Sequence, residues 1–423
     1  MSYSAADPQR SLSGEARRQN ALSLLFFLCA AFAFVLRFAV SSQLMDMVMD
    51  YTAASGAFYE KLHFGTYAIY LLLPFVLFTR PFVLRGDEIG KFKALVRFSG
   101  LMLALVIYLF ATGRAGSSGF IIDTYIVAAA AGLLMYGLHA DLRRALGDVT
   151  LCLLILSAVM GIVEEITHHR FLPYGLVELQ FRPIGLTDHP LSLGALCATA
   201  IGFVVLTRWR AWVRVAAIFV LFIGCAASGA RFSLLVSVGE ILALLLFVRW
   251  PRLTPANERK AKFVVLMLTL AGGVVLVAGL FAGGLLNRFS HTIFDENFMA
   301  RVTIYQVFDY VDWKQIMFGM RADDLIAIVN ERLKLPTIES APVVLIMLLG
   351  LPLAILFIIL VFWILLRLLR KAPLPAWIGT TAFILAALSN NTLSSKTSVI
   401  AIIVVLLVAY GAPRPQTEPE AVA

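Results

Sequence analysis

The chain has 423 residues, 60% of them hydrophobic and only 14% charged, with 35 Lys and Arg against 26 Asp and Glu for a formal charge of +9. Its mean hydropathy of +0.88 excludes a soluble globular domain, because so few charged side chains could not clothe a water-exposed fold of this size, and it defines a polytopic membrane protein. The basic excess orients spans and meets anionic headgroups, so it calls for membrane lipid as a partner and for no nucleic acid.

Taken in chain order, a polar stretch over residues 1–20 precedes an apolar run from Ala21 to Val40 that lacks a clear small-residue cleavage site. It reads as an N-terminal tail followed by a retained first helix. Further apolar runs lie near 64–79, 98–113, 119–138, 149–167, 191–207, 215–229, 232–248, 263–282, 341–366, 376–389 and 398–411. With the first helix they make about twelve spans, an all-α transmembrane bundle over 21–411 with a short tail at 412–423. The pair around Ser228 reads either as two spans or as one broken helix.

Lys and Arg test this map, since they collect on cytoplasmic connections. Arg10 to Arg18, Arg80 to Arg97, Arg143 and Arg144, Arg208 to Arg214, Arg249 to Lys262 and Arg367 to Lys371 fall on alternate connections, which places both termini in the cytoplasm. Cys29, Cys152, Cys197 and Cys225 all lie in apolar runs without CxxC or Cys/His spacing, so neither a disulfide framework nor a zinc site is indicated.

The outer side holds a 41–63 loop, a turn at Gly113 to Ser118, the 168–190 segment, the Ser228 turn, a long loop at 283–339 and a turn at 390–397. In the long loop Met299, Ile304, Val307, Phe308 and Val311 recur at roughly helical spacing against Arg301, Asp309 and Asp312, and a second amphipathic pattern runs from Asp323 to Leu333. Such a loop suits a lid over an outward cavity, with helices lying along the membrane surface. No evenly spread relay of charges and no internal repeat points to a pump or to inverted transporter halves.

The polar groups concentrate on the outer face. The stretch RPIGLTDHP from Arg182 to Pro190 is followed by SGARFS at Ser228 to Ser233, and Arg182, His189, Arg231, Arg301 and Arg321 all come to the outer leaflet. Charges held at a membrane boundary mark sites, and guanidinium forks suit phosphate oxygens bidentately. Glu339 is the first candidate general base and His189 the second. Simpler readings stand beside these: Arg182 as a headgroup anchor, His189 as a helix cap ahead of Pro190, Glu339 as a solvated residue ahead of a helix. Glu164, Glu165, His168 and His169 read as a wet helix terminus rather than a metal cluster. No DxD-like element stands alone on the outer side, so neither a metal nor any cofactor is expected.

In the order and spacing of RPIGLTDHPLSLG, SGARFSLL, the long loop with Arg301, the FGMR turn at Phe318 to Arg321 and the following LIMLLGLP, the chain resembles the O-antigen ligase and Wzy-type polysaccharide polymerase superfamily. It is most similar to the VpsF-like exopolysaccharide polymerases. The resemblance implies a metal-independent glycosyltransferase of the bacterial inner membrane, acting at the periplasmic face on undecaprenyl-diphosphate-linked oligosaccharide. A chain-length regulator and a flippase of the same pathway would be its partners. By position Arg182 and Arg231 match the family's diphosphate-binding arginines, and Arg301 matches one that opens its large periplasmic loop. Ligases of the family place a His-Asn pair just before the span that follows that loop. Here the place reads IESAP, with Glu339, which favours a polymerase over a ligase. A polysaccharide or lipid transporter using the same arginines is the alternative from another class.

Overall fold

A computed structural model of the protein describes residues 8–52, 58–79, 82–175, 181–250, 254–282, 299, 302–335, 338 and 340–411. Arg301, Glu339 and the 412–423 tail lie outside the described residues.

Among those residues every regular element is helical. The first, α1 (Pro8–Ala39), is followed by a short α2 (Ser42–Asp46), then α3 (Phe64–Phe78) and α4 (Asp87–Ala111). The next stretch is composite: a 3₁₀ turn at Ala115–Ser118, a π-helical segment at Ile121–Ile126 and α5 (Val127–Tyr136). Then come α6 (Ala140–Thr167), α7 (Pro190–Val204), α8 (Ala211–Ala227), α9 (Arg231–Phe247) and α10 (Pro255–Ala282). In the long loop a 3₁₀ helix at Ile304–Tyr310 leads to α11 (Trp313–Phe318) and α12 (Ala322–Glu331). The chain closes with α13 (Ala341–Leu349), α14 (Leu351–Leu369), α15 (Leu374–Leu388) and α16 (Val399–Tyr410).

Composition decides which helices sit at the centre. Helices α5, α7 and α16 are apolar all round and rich in Ala, Gly and β-branched residues, and nearly all their side chains are buried. Between apolar helices, small residues permit the close backbone approach that dispersion contacts require. Gly202 of α7 shows it: a β-carbon there would lie 2.7 Å from the Cα of Gly379 on α15. The outer helices instead keep apolar faces exposed, among them Leu28 and Phe32 on α1 and Ile355, Ile359 and Leu366 on α14. Five helical stretches are long and apolar enough to cross a membrane: Gln19–Ala39, Asp87–Ala111, Ala115–Tyr136, Ala140–Thr167 and Leu351–Leu369. Five further apolar helices, α3, α7, α8, α15 and α16, are shorter.

Several boundaries differ from the apolar runs for local reasons. Helix α4 begins at Asp87, well before its apolar run, because Asp87 and Glu88 fill its first turn, where the helix dipole favours carboxylates. The pair around Ser228 is two helices, separated by a turn that needs Gly229 at φ +64°. The run near 341–366 is also two helices, broken at Gly350, whose φ of +87° suits only glycine and where a β-carbon would meet the Met317 carbonyl oxygen at 2.5 Å. Gly350→Ala is therefore expected to cost at least about 2 kcal/mol, read as a lowered unfolding midpoint in detergent; an unchanged midpoint would show that this backbone is relaxed. In the long loop the two amphipathic stretches are helical over Ile304–Tyr310 and Ala322–Glu331, with Ile304, Val307, Leu325 and Val329 buried and Asp309, Asp312, Asp323 and Asp324 exposed.

Candidate functional site

The segment that carries Arg182 and His189 is built from the end of α6. His168 adopts the left-handed conformation (φ 51°) and ends that helix. One turn earlier, Glu164 is fully buried, so the expectation of a wet helix terminus fails at this residue. Its Oε1 accepts from Phe171 N–H at 3.0 Å, and its Oε2 accepts from Ile184 and Gly185 N–H at 2.8 and 2.9 Å. A single carboxylate thus pins both ends of the connecting loop, an arrangement possible because a charged acceptor can take several backbone donors at once. Ser157 Oγ accepts from Leu186 N–H at 3.0 Å, and Gly185 turns the chain at φ +56°. Arg170 closes the loop from outside: its Nε and Nη2 both donate to the Arg182 carbonyl, at 3.0 and 2.9 Å, and its guanidinium stacks 4.1 Å from the Tyr174 ring centre.

So held, Arg182 is half-buried and donates from Nε to the Ser228 carbonyl at 3.2 Å. That carbonyl belongs to the turn that opens α9, of which Arg231 is the first residue, also half-buried. Ser228 braces the turn, with Oγ donating to the Cys225 carbonyl at 2.7 Å and accepting from Ala230 N–H at 3.3 Å. The first turns of α7 and α9 touch here, since a β-carbon on Gly194 would fall 2.6 Å from that of Ala230. The structure therefore brings Arg182 and Arg231 to one turn, beside the amino ends of two packed helices. Helix amino termini carry partial positive charge and free N–H groups, so the arrangement favours an anion.

His189 lies at the start of α7, and its Nδ1 accepts from Leu191 N–H at 3.2 Å, the capping role weighed beside catalysis. Arg321 is exposed, at the start of α12, and its one ion pair among the described residues is with Asp323 at 3.5 Å. Its turn is fastened by Met320 N–H donating to the Met347 carbonyl at 2.7 Å, and by buried Arg114, whose guanidinium donates to the carbonyls of Phe318 and Leu348.

A second polar centre adjoins the same loop and went unnoticed in the sequence. Asp188 accepts from Ser42 Oγ at 2.8 Å and from Ser42 N–H through Oδ1, while Gln43 Nε2 donates to its carbonyl at 3.2 Å. Among the described residues its Oδ2 takes no hydrogen bond. Burial raises the Asp188 carboxyl above the usual carboxylate range, against the opposing pull of Ser42 and Arg37. Nearby, Asp123 in the π-helical segment is fully buried and accepts from Tyr51, Thr66 and His63 N–H. Buried Arg37 donates to the carbonyls of Asp123 and Thr397 at 2.7 and 3.0 Å. Lys396 donates to the carbonyls of Tyr51 and Lys61, at 2.8 and 3.2 Å. The available signal was a charge inside each apolar run, Arg37 in FVLRFAV and Asp123 in FIIDTYIV, where ionisable groups are costly and hence informative.

His63 reports on this centre. Burial, reinforced by Arg37, pushes it down to about 4. A lowered folded value means the unfolded chain binds the extra proton first, so the stabilisation is fully present above about pH 6.5 and is lost as pH falls toward 4. Unfolding midpoints in detergent should drop over that window by the equivalent of roughly 3 kcal/mol, and His63→Gln should remove most of the drop. A His63→Gln protein with the same pH profile as the unaltered chain would contradict this.

These features define an all-helical protein with apolar helices able to cross a membrane and a cationic turn between helix amino termini. Compared with known proteins, the chain matches no protein-family model and no curated protein.

Proposed function

We propose that the protein is a metal-independent membrane glycosyltransferase that polymerises lipid-linked oligosaccharide repeats for a cell-surface polysaccharide or exopolysaccharide. On this reading it is a bundle of about twelve spans in a bacterial inner membrane, with both termini cytoplasmic and the site at the periplasmic face. The observation that carries the reading is the meeting of Arg182 and Arg231 at the amino ends of α7 and α9. The growing chain is attached through its anomeric carbon to undecaprenyl diphosphate. A hydroxyl oxygen of the next repeat attacks that carbon, the bond to the diphosphate oxygen breaks, and the leaving group departs with the electron pair. The two arginines and the helix ends stabilise that developing charge. A base takes the hydroxyl proton. Glu339 and His189 remain candidates, and Asp188, in the same loop as Arg182 and with an Oδ2 that takes no hydrogen bond among the described residues, joins them. Arg301 and Arg321 would meet the diphosphate or its sugars from the long loop.

The deciding experiment is the mass and ladder length of lipid-linked glycans in cells carrying Arg182→Ala and Arg231→Ala together, with membrane abundance of the protein checked. Accumulated single repeats at unchanged abundance support polymerisation. Long carrier-linked chains left untransferred indicate a ligase, and normal ladders with normal transfer reduce the arginines to anchors.

A further inference from the structure

At the opposite end of the bundle lies a second cationic site. Helix α6 carries Glu164 near one end and Arg143 and Arg144 near the other, roughly 30 Å apart along the helix axis. Around Arg143 opens a cavity of about 1020 Å³ between the starts of α4 and α6, the turn after α7 and the ends of α14 and α16. Six basic side chains line it: Arg85, Lys91, Arg143, Arg144, Arg208 and Lys371. Against them stand Asp87, Glu88 and Asp141 in the lining, with Asp148 beside them accepting from Tyr410 Oη at 2.5 Å. The cavity therefore holds two cations in excess.

The acids are already committed. Glu88 pairs with Arg143 at 2.7 Å, Asp87 with Lys371 at 2.9 Å and Asp141 with Arg208 at 3.3 Å. Lys91 makes no direct ion pair among the described residues: it is 8% exposed and feels the charges of Asp87 and Glu88, yet its ammonium donates only to the neutral carbonyl of Gly411, at 3.2 Å. The Arg85 side chain, exposed at the rim, has no partner among the described residues. A buried ammonium with no carboxylate of its own is costly unless an anion completes it. We propose that this cavity binds a phosphate-bearing anion, with Lys91 and Arg85 as the groups that hold its phosphate. The inference is independent of the glycosyltransferase reading, because it involves none of the residues placed in that site. The same chemistry can arrive on a lipid headgroup or on a soluble phosphate.

Two measurements on the full chain separate the sources. In phosphatidylcholine nanodiscs the protein is titrated with inorganic pyrophosphate and its unfolding midpoint followed. In detergent it is delipidated, supplied with phosphatidylglycerol or phosphatidylcholine, and examined by native mass spectrometry. The expected result is a pyrophosphate-dependent rise in midpoint, which identifies a soluble phosphate, or retention of phosphatidylglycerol over phosphatidylcholine, which identifies a headgroup. In either case Lys91→Gln weakens binding on the order of tenfold, and it does so equally in an Arg231→Ala background, where the other cationic site is impaired. The inference is overturned if neither effect occurs, if Lys91→Gln binds as the unaltered protein does, or if binding vanishes in Arg231→Ala, which would move it to the other end of the bundle. Should Lys91→Gln fail to fold, Arg85→Gln with Lys371→Gln, both on exposed side chains, is judged by the same criteria.

Discussion

Glu164→Ala is expected to be the most damaging single substitution outside the apolar core, lowering stability by about 3–5 kcal/mol. The mutation leaves Phe171, Ile184 and Gly185 N–H without their acceptor, and Ile184 and Gly185 are buried. An unmade bond to a buried donor costs its full desolvation, which exceeds what a surface hydrogen bond contributes. The loop that carries Arg182 and Asp188 would loosen together with it. Glu164→Gln should recover only part of the loss, because its single amide oxygen can serve one side of the loop while its NH₂ faces the other side's N–H groups. The test is the unfolding midpoint in detergent together with protease cleavage between residues 170 and 190. If Glu164→Ala unfolds with an unchanged midpoint and the loop stays resistant, the carboxylate is not what holds it.

The second large effect is on activity and rests on the proposed chemistry. Arg231→Ala is expected to slow chain extension on the order of 100-fold or more, the scale of removing one preorganised donor from a developing anion. Arg231→Lys should restore part of the rate but not all of it, since an ammonium supplies charge without the planar fork that spans two phosphate oxygens. Arg182→Ala should do more than remove charge, because its Nε also supports the Ser228 carbonyl and hence the turn that sets Arg231. Initial rates of ladder growth in isolated membranes, normalised to protein abundance, distinguish these cases. Equal rates for the Lys and Ala variants would mean that the fork and the charge are both idle. Unaltered rates for both would remove Arg231 from the site.

The two effects are coupled through one short piece of chain. The described parts of this loop, residues 170–175 and 181–190, are fixed at one side by Glu164 and Ser157 and at the other by Ser42, through Asp188. Arg182 thus sits on a braced frame rather than on a free loop, which keeps a half-buried guanidinium aimed. The same bracing is why Glu164→Ala should reduce activity as well as stability, whereas Arg231→Ala should leave the unfolding midpoint nearly unchanged.

Much of this was legible in the sequence. The apolar runs located the helices because spans without water must satisfy their backbone internally, and only helices among continuous segments do so, but α1, α4, α6 and α10 start well before their runs, in polar first turns. Arg231 stood out because it lies between two apolar runs with no interfacial loop, and Arg182 because it opens a short polar stretch between apolar runs. A cap was one of two readings of His189 before Pro190, beside catalysis, and its Nδ1 fills that role. The amphipathic pattern from Asp323 to Leu333 became α12, with Leu325 and Val329 inward. What periodicity could not supply was partnership between distant segments. That Glu164 serves N–H groups 7, 20 and 21 residues away, that Asp188 is held by Ser42, and that Arg114 ties its own turn to Phe318 and Leu348 are matters of where loops pack. Loop packing has no sequence period. By itself the sequence determined an all-helical, apolar chain with cationic boundaries, because burial and helix geometry repeat locally. Only the tertiary structure decided which boundaries meet, joining Arg182 to the Ser228 turn and gathering Lys91, Arg143 and Lys371 around one cavity, because hydrogen bonds and ion pairs between remote residues form only once the helices have chosen their neighbours.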